Sequence, residues 1–137
     1  MSPSLHRSGF TLIELIVVIA LLAVLAAVVA PNLRGKASEA NRKSAAIQLE
    51  KIGSAVELYR IETGRYPESI EDLVNRPQDV DRWNGPYVSK KSQLQDPWGN
   101  PLVIRQPGEE RNFDLISYGA DGQPGGEGDN ADITNWD

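Results

Sequence analysis

The chain opens on an apolar block, passes into an amphipathic stretch and closes on an acidic, glycine-rich tail. From Leu15 to Ala30 no side chain is charged or polar. With Phe10 to Glu14 this makes about twenty residues, the length a helix needs to cross a bilayer. Pro31 then removes one backbone donor, and Asn32 and Gly35 weaken the helix further, so a kink or boundary is expected there. From about Leu33 to Thr63 the period is helical. Ala45, Leu49, Ile52, Val56 and Tyr59 recur at steps of three and four and form one apolar stripe, fit to pack on a sheet. Glu39, Arg42, Lys43, Glu50, Lys51, Glu57 and Arg60 mostly take other faces, with Glu39 and Lys43 spaced for a helical ion pair. Gly64 is a C-terminal stop, and Pro67 prevents resumption nearby.

The string "YPESIEDLV" predicts a short second helix over Pro67 to Asn75, with Pro67 in the first turn and Glu68, Glu71 and Asp72 at the positive end. After it come turn-forming strings, Asn84-Gly85-Pro86 and Asp96-Pro97-Trp98-Gly99-Asn100-Pro101. Trp83, Tyr87 and Trp98 read as anchors pinning long loops to the core; a stacking surface for sugars or bases is the other reading. Leu102 to Arg105 and Phe113 to Tyr118 read as strands joined by the polar "PGEERN" into a hairpin. The expected fold class is α+β, a long helix laid on a small antiparallel sheet.

Totals narrow the chemistry. The 137 residues carry a formal charge of −5, so no global field recruits nucleic acid. There is no cysteine, which excludes disulfides and thiolate metal sites. The single histidine is His6, a poor basis for a catalytic triad or a zinc site. Carboxylates such as Asp114 and Asp121 could pair for acid–base work in a tethered hydrolase, a weakly supported reading, and the chain is read as a structural protein, not an enzyme. The tail "SYGADGQPGGEGDNADITNWD" is either disordered on composition or a cation loop. Calcium takes oxygens from carboxylates and carbonyls, and Asp121, Glu127, Asp129 and Asp132 supply charge among glycines that let carbonyls turn inward. The acidic spacing is not that of an EF-hand.

Glu14 is the anomaly of the apolar block, because a lone charge in lipid is costly. A cleaved secretory signal, with small residues near Ala26, Ala27 and Ala30, leaves it unexplained, as does a plain anchor. The string Gly9-Phe10-Thr11-Leu12-Ile13-Glu14 resembles the processing site of type IV pilins and pseudopilins. That resemblance implies a leader of residues 1–9, cleavage between Gly9 and Phe10 by a prepilin peptidase, and N-methylation of Phe10. It also implies that Glu14 pairs with the free amine of a neighbouring subunit, where a buried carboxylate is tolerable. The other reading is that Glu14 lies at headgroup level. Losing Arg7 with the leader takes the formal charge from −5 to −6.

"GRYP", "DPWGNP" and the tail extend the resemblance to the major pseudopilin of type II secretion systems. The matching tail residues are Tyr118 to Gly122, Gly125 to Gly128, Ala131 to Ile133, and Trp136. It implies a type IV pilin-like fold in three parts: leader 1–9, transmembrane or filament-core helix 10–31, and periplasmic domain 32–137. In that family the C-terminal loop binds calcium. Asp121 and Asp132 are the implied ligands, with the Tyr118 carbonyl next; Asp129, Glu127 and the Gly128 carbonyl are weaker candidates. The implied partners are other copies in a helical filament, minor pseudopilins, the prepilin peptidase, and an inner-membrane platform with its ATPase. The implied place is the bacterial inner membrane, crossed once with the bulk of the chain periplasmic, and then the periplasmic pseudopilus. The alternative is a type IV pilin for adhesion, motility or DNA uptake, which the acidic balance and lack of cysteine disfavour.

Overall fold

The computed structural model describes residues 2–3 and 8–136. The basic pair of the expected leader, His6 and Arg7, lies outside the described residues. The chain divides into two compact units, Met1–Ala37 and Ser38–Asp137, and the helix α1, Leu12–Thr63, contributes to both.

In the first unit α1 is apolar on every side from Leu15 to Ala30, and no residue of its most apolar window is buried within the chain. It is long and apolar enough to cross a membrane. Helix runs through Pro31 rather than ending there. Proline deletes one donor but leaves the ladder on either side intact. The Asn32 side-chain amide donates to the Val28 carbonyl at 3.4 Å, adding a bond in the weakened turn.

The second unit is built on the predicted stripe. Ala45, Leu49, Ile52, Val56 and Tyr59 are the buried residues of α1. Fully burying each of the larger ones is worth about 1.5–3 kcal/mol. Among the described residues Glu39 and Lys43 form no ion pair, and both stay exposed. The helix stops at Gly64, whose φ of 84° is open to glycine and whose N–H donates to the Arg60 carbonyl at 2.8 Å.

The segment expected to be helical over Pro67 to Asn75 shrinks to a 3₁₀ helix, Ile70–Leu73. A capping box starts it late. The Ser69 hydroxyl accepts from backbone N–H in the first turn, and the Asp72 carboxylate accepts from the Ser69 N–H at 3.1 Å. Pro67 is instead buried ahead of it. Further 3₁₀ turns, Lys91–Leu94 and Gly128–Asn130, carry no periodic signal.

The hairpin is present and shorter than expected: β1, Val103–Arg105, pairs antiparallel with β2, Asp114–Ser117, with Ile104 opposite Leu115. A third strand, β3, Ile133–Thr134, pairs with the other edge of β2 in the register Ile116 to Thr134 and Ser117 to Ile133. Every residue of the central strand β2 is buried. Trp83, Tyr87 and Trp98 pack on the core as loop anchors. Trp83 Nε1 donates to the Asp72 carbonyl at 2.8 Å and its ring meets Tyr87 edge-on.

Two substitutions test this packing by chemical denaturation. Leu115→Ala, at a fully buried core position, is expected to lose about 2–5 kcal/mol, whereas Ile61→Ala, 70% exposed, should change stability by less than about 0.5 kcal/mol. Equal losses would mean that β2 does not pack as described. In the hairpin, a Cβ on Gly108 would collide with Asp114 Oδ1 and lie 2.6 Å from the Arg111 carbonyl. Gly108→Ala should therefore cost about 1–3 kcal/mol. Wild-type stability for that variant would show that the hairpin turn does not close on Asp114.

Candidate functional site: an acidic glycine loop after the central strand

The tail is ordered between two strands. It leaves β2 at Ser117 and returns as β3 at Ile133, so both of its ends are fixed by the same sheet. Between them Gly119, Gly122, Gly125, Gly126 and Gly128 all have φ between 59° and 95°. At Gly119 and Gly126 close approach also forbids a side chain. A Cβ on Gly119 would lie 2.5 Å from the Asp129 carbonyl oxygen, and one on Gly126 would lie 2.7 Å from the Asn130 carbonyl oxygen. Backbone carbonyls thus crowd inward where only glycine permits.

The predicted ligands divide by what they hold. Asp121 is exposed, and its Oδ1 accepts from the Gln123 N–H at 3.1 Å, closing a turn of its own. Asp132 reaches across the loop, and both of its oxygens accept from the Gly125 N–H, at 3.0 and 3.1 Å. Tyr118 stands half-buried at the entrance. Asp129 turns away to α1, where its Oδ1 accepts from the Ser38 hydroxyl. Glu127 is the exposed cap of the 3₁₀ turn Gly128–Asn130. The Gly128 carbonyl already accepts from Arg42 Nη1 at 2.9 Å.

The donor set suits a hard cation, since every available group is a carboxylate or carbonyl oxygen and the glycines let carbonyls converge. No group of three or more His, Cys, Asp or Glu side chains gathers around one point among the described residues. A cation here would therefore draw on carbonyls as well as on Asp121 and Asp132. Asp114 and Asp121 do not form an acid–base pair: Asp114 begins β2, is fully buried and accepts from the Glu109 N–H at 2.8 Å, while Asp121 lies past the other end of that strand.

The structure adds four residues to the loop that were not singled out as site residues. Arg42 Nη1 bonds the Gly128 and Ala131 carbonyls at 2.9 and 3.0 Å, and Ser38 holds Asp129. Ser38 and Arg42 continue the stripe of Ala45 and Leu49 at steps of four, three and four, so a polar extension of that face was the available signal. Asp96 and Asn100, in the "DPWGNP" turn, reach the loop from the other side. Nothing in their spacing pointed to it.

At the start of α1, Glu14 is not an isolated charge. Its Oε2 accepts from the Thr11 N–H at 2.9 Å, and the Glu14 N–H donates to the Thr11 hydroxyl at 3.3 Å. Thr11-Leu12-Ile13-Glu14 is a capping box, which satisfies two of the free donors at a helix start.

Comparison with known proteins agrees with both ends of the chain. Residues 32–136 match the family model of type II secretion system protein G, and residues 5–30 match the prokaryotic N-terminal methylation motif. The chain is 39% identical to the type II secretion system core protein G of Pseudomonas aeruginosa, over 96% of each. It is 37% identical to that of Vibrio cholerae, over 95% of this chain and 92% of the relative. The crystal structure of the major pseudopilin from the type 2 secretion system of enterohaemorrhagic Escherichia coli superposes with a TM-score of 0.62 at 32% identity. That match covers 77% of this chain and 95% of the other. An apolar helix behind a methylation motif, joined to a pilin-like α+β unit with this glycine loop, places the chain in the type II secretion system protein G family, the major pseudopilins.

Proposed function

We infer that this chain is the repeating subunit of the type II secretion pseudopilus, and that its polymerisation drives folded proteins across the outer membrane. The observation that carries the reading is the exposed apolar length of α1. From Leu12 to Leu33 its large side chains stay about half or more exposed within the chain. So much apolar surface must be covered by lipid or by copies of itself. The methylation motif, which runs over residues 5–30 and so into this helix, fits removal of residues 1–9 by a prepilin peptidase, with cleavage between Gly9 and Phe10 and methylation of Phe10. The leader then faces the cytoplasm and residues 32–137 the periplasm. Subunits leave the inner membrane for the fibre through an assembly platform powered by its ATPase, and minor pseudopilins join the same fibre.

Glu14 has two tasks in this reading. One oxygen caps α1 through Thr11. The other is free to meet the amine that cleavage creates on a neighbouring subunit, setting register between copies.

The C-terminal loop holds calcium, through Asp121, Asp132 and backbone carbonyls including that of Tyr118. The bound ion supplies positive charge that ties the two carboxylate-bearing halves of the loop together in a subunit lacking cysteine. Asp129 is assigned instead to the strut with Ser38.

Thermal melts with calcium and with chelator test the loop. A ligand that binds only the folded state stabilises it by about 2.7 kcal/mol at a hundred times its Kd. Wild type should show that rise, and Asp121→Ala and Asp132→Ala should lose most of it; unchanged melting of both variants in calcium rejects these ligands. Glu14 is tested by pairing two substitutions in a fibre-assembly assay. Glu14→Gln keeps the cap and loses the charge, and Glu14→Ala loses both. Both should insert and be cleaved yet assemble poorly. Normal fibres from Glu14→Gln would leave capping as its role and remove the amine pairing.

A further inference from the structure

A closed ring of hydrogen bonds ties the Asp96–Pro101 turn to the acidic loop. Asp96 is 5% exposed, and no cation pairs with it among the described residues. Its Oδ1 accepts from the Trp98 and Asn100 N–H groups at 3.1 and 2.9 Å, and its Oδ2 accepts from the Ser117 hydroxyl at 2.7 Å. The Ser117 oxygen in turn accepts from the Gly119 N–H at 3.4 Å. Asn100 closes the ring, donating from Nδ2 to the Gly119 carbonyl at 2.8 Å.

That last bond falls on a peptide group already held from its other side. The Gly119 carbonyl and the Ala120 N–H belong to one rigid plane. The Ala120 N–H donates to the Asp129 carbonyl at 2.8 Å. The plane is therefore clamped at its oxygen by Asn100 and at its nitrogen by the returning half of the loop. It stands immediately before Asp121, while Asp129 stands three residues before Asp132. The two halves also approach closely at Gly119, where a Cβ would lie 2.5 Å from the Asp129 carbonyl oxygen.

We propose that Asn100 is a positioning residue for the divalent cation of this loop, fixing the separation of the Asp121 and Asp132 halves through the Gly119–Ala120 peptide. Asp96 and Ser117 hold Asn100 and Gly119 in place. The proposal rests on the cation reading of the loop. The physical need is clear from the glycines, which give the loop little conformational preference of its own, while oxygen ligands must converge to within about 2.3–2.6 Å of calcium. Partners one shell out from a metal typically carry about 10–100-fold in affinity. None of the ring's members has to touch the ion.

The test is calorimetric titration of calcium chloride into the chelator-stripped full chain in detergent micelles, well below its melting temperature. Asn100→Asp is the decisive variant because its two effects oppose. It removes the donor that holds Gly119 and adds a negative charge beside the loop. Positioning predicts that Kd rises about 10–100-fold despite the added charge. Ser117→Ala opens the ring elsewhere without changing charge, should raise Kd by a smaller factor, and carries the test if Asn100→Asp does not fold. Wild-type binding with an equal or lower Kd in Asn100→Asp overturns the positioning role alone, as does a lower melting temperature in chelator with unchanged Kd. No binding by wild type overturns the cation reading and the positioning role together.

Discussion

A single line of side chains down α1 organises the folded unit. At 3.6 residues per turn, positions 38, 42, 45, 49, 52, 56 and 59 fall on one face. Its C-terminal five are buried and carry the core, against which Leu73, Leu102 and Leu115 pack. Its first two are polar, and they hold the returning end of the acidic loop through Asp129 and the Gly128 and Ala131 carbonyls. One rigid helix thus serves as floor for the sheet and as rail for the loop. The change from apolar to polar along that line marks where core gives way to site.

The loop cannot organise itself. Its glycines supply permissive backbone and few side chains to bury, so its conformation is imposed from outside. Three supports converge on it: the Ser38 and Arg42 pair, the Asp96–Asn100 turn, and the pairing of β3 with β2. Asn135 completes the last of these, its N–H donating to the Leu115 carbonyl at 3.1 Å and its Oδ1 accepting from the Leu115 N–H at 3.0 Å. A small domain without disulfides often needs such a staple. Here polar side chains distant in sequence do part of that work.

Legibility in the sequence followed the range of the interactions. The α1 stripe, the Gly64 stop and the β1–β2 hairpin rest on local period and turn chemistry, and each is present within a residue or two. Pro31 does not end α1, because the local rule counts one missing donor and not the apolar helix on its N-terminal side or the packed one on its C-terminal side. Strand β3 has only Ile133 and Thr134 and cannot show an alternation; its existence depends on the free edge of β2. Asp129 sits in a run of acids whose spacing does not show that its carboxylate meets Ser38 on the helix face. Asp121 and Asp132, the ligands that the resemblance implies, lie near the start of the loop and just before β3.

Glu14 shows how a single side chain can satisfy two constraints that act at different stages. The first turn of any helix leaves donors unpaired, and in lipid there is no water to take them. Thr11 and Glu14 pair two of those donors with oxygens of the same turn, so the carboxylate is engaged before any neighbour arrives. Leucine at that position would be cheaper for the apolar side of the helix and would leave the Thr11 N–H open. The cap uses one carboxylate oxygen. The other retains its acceptor capacity and the group retains its charge, which capping alone does not require, since glutamine caps as well. A charge kept where a neutral amide would cap equally well fits a second, cationic partner, which the proposed removal of the leader would create at Phe10.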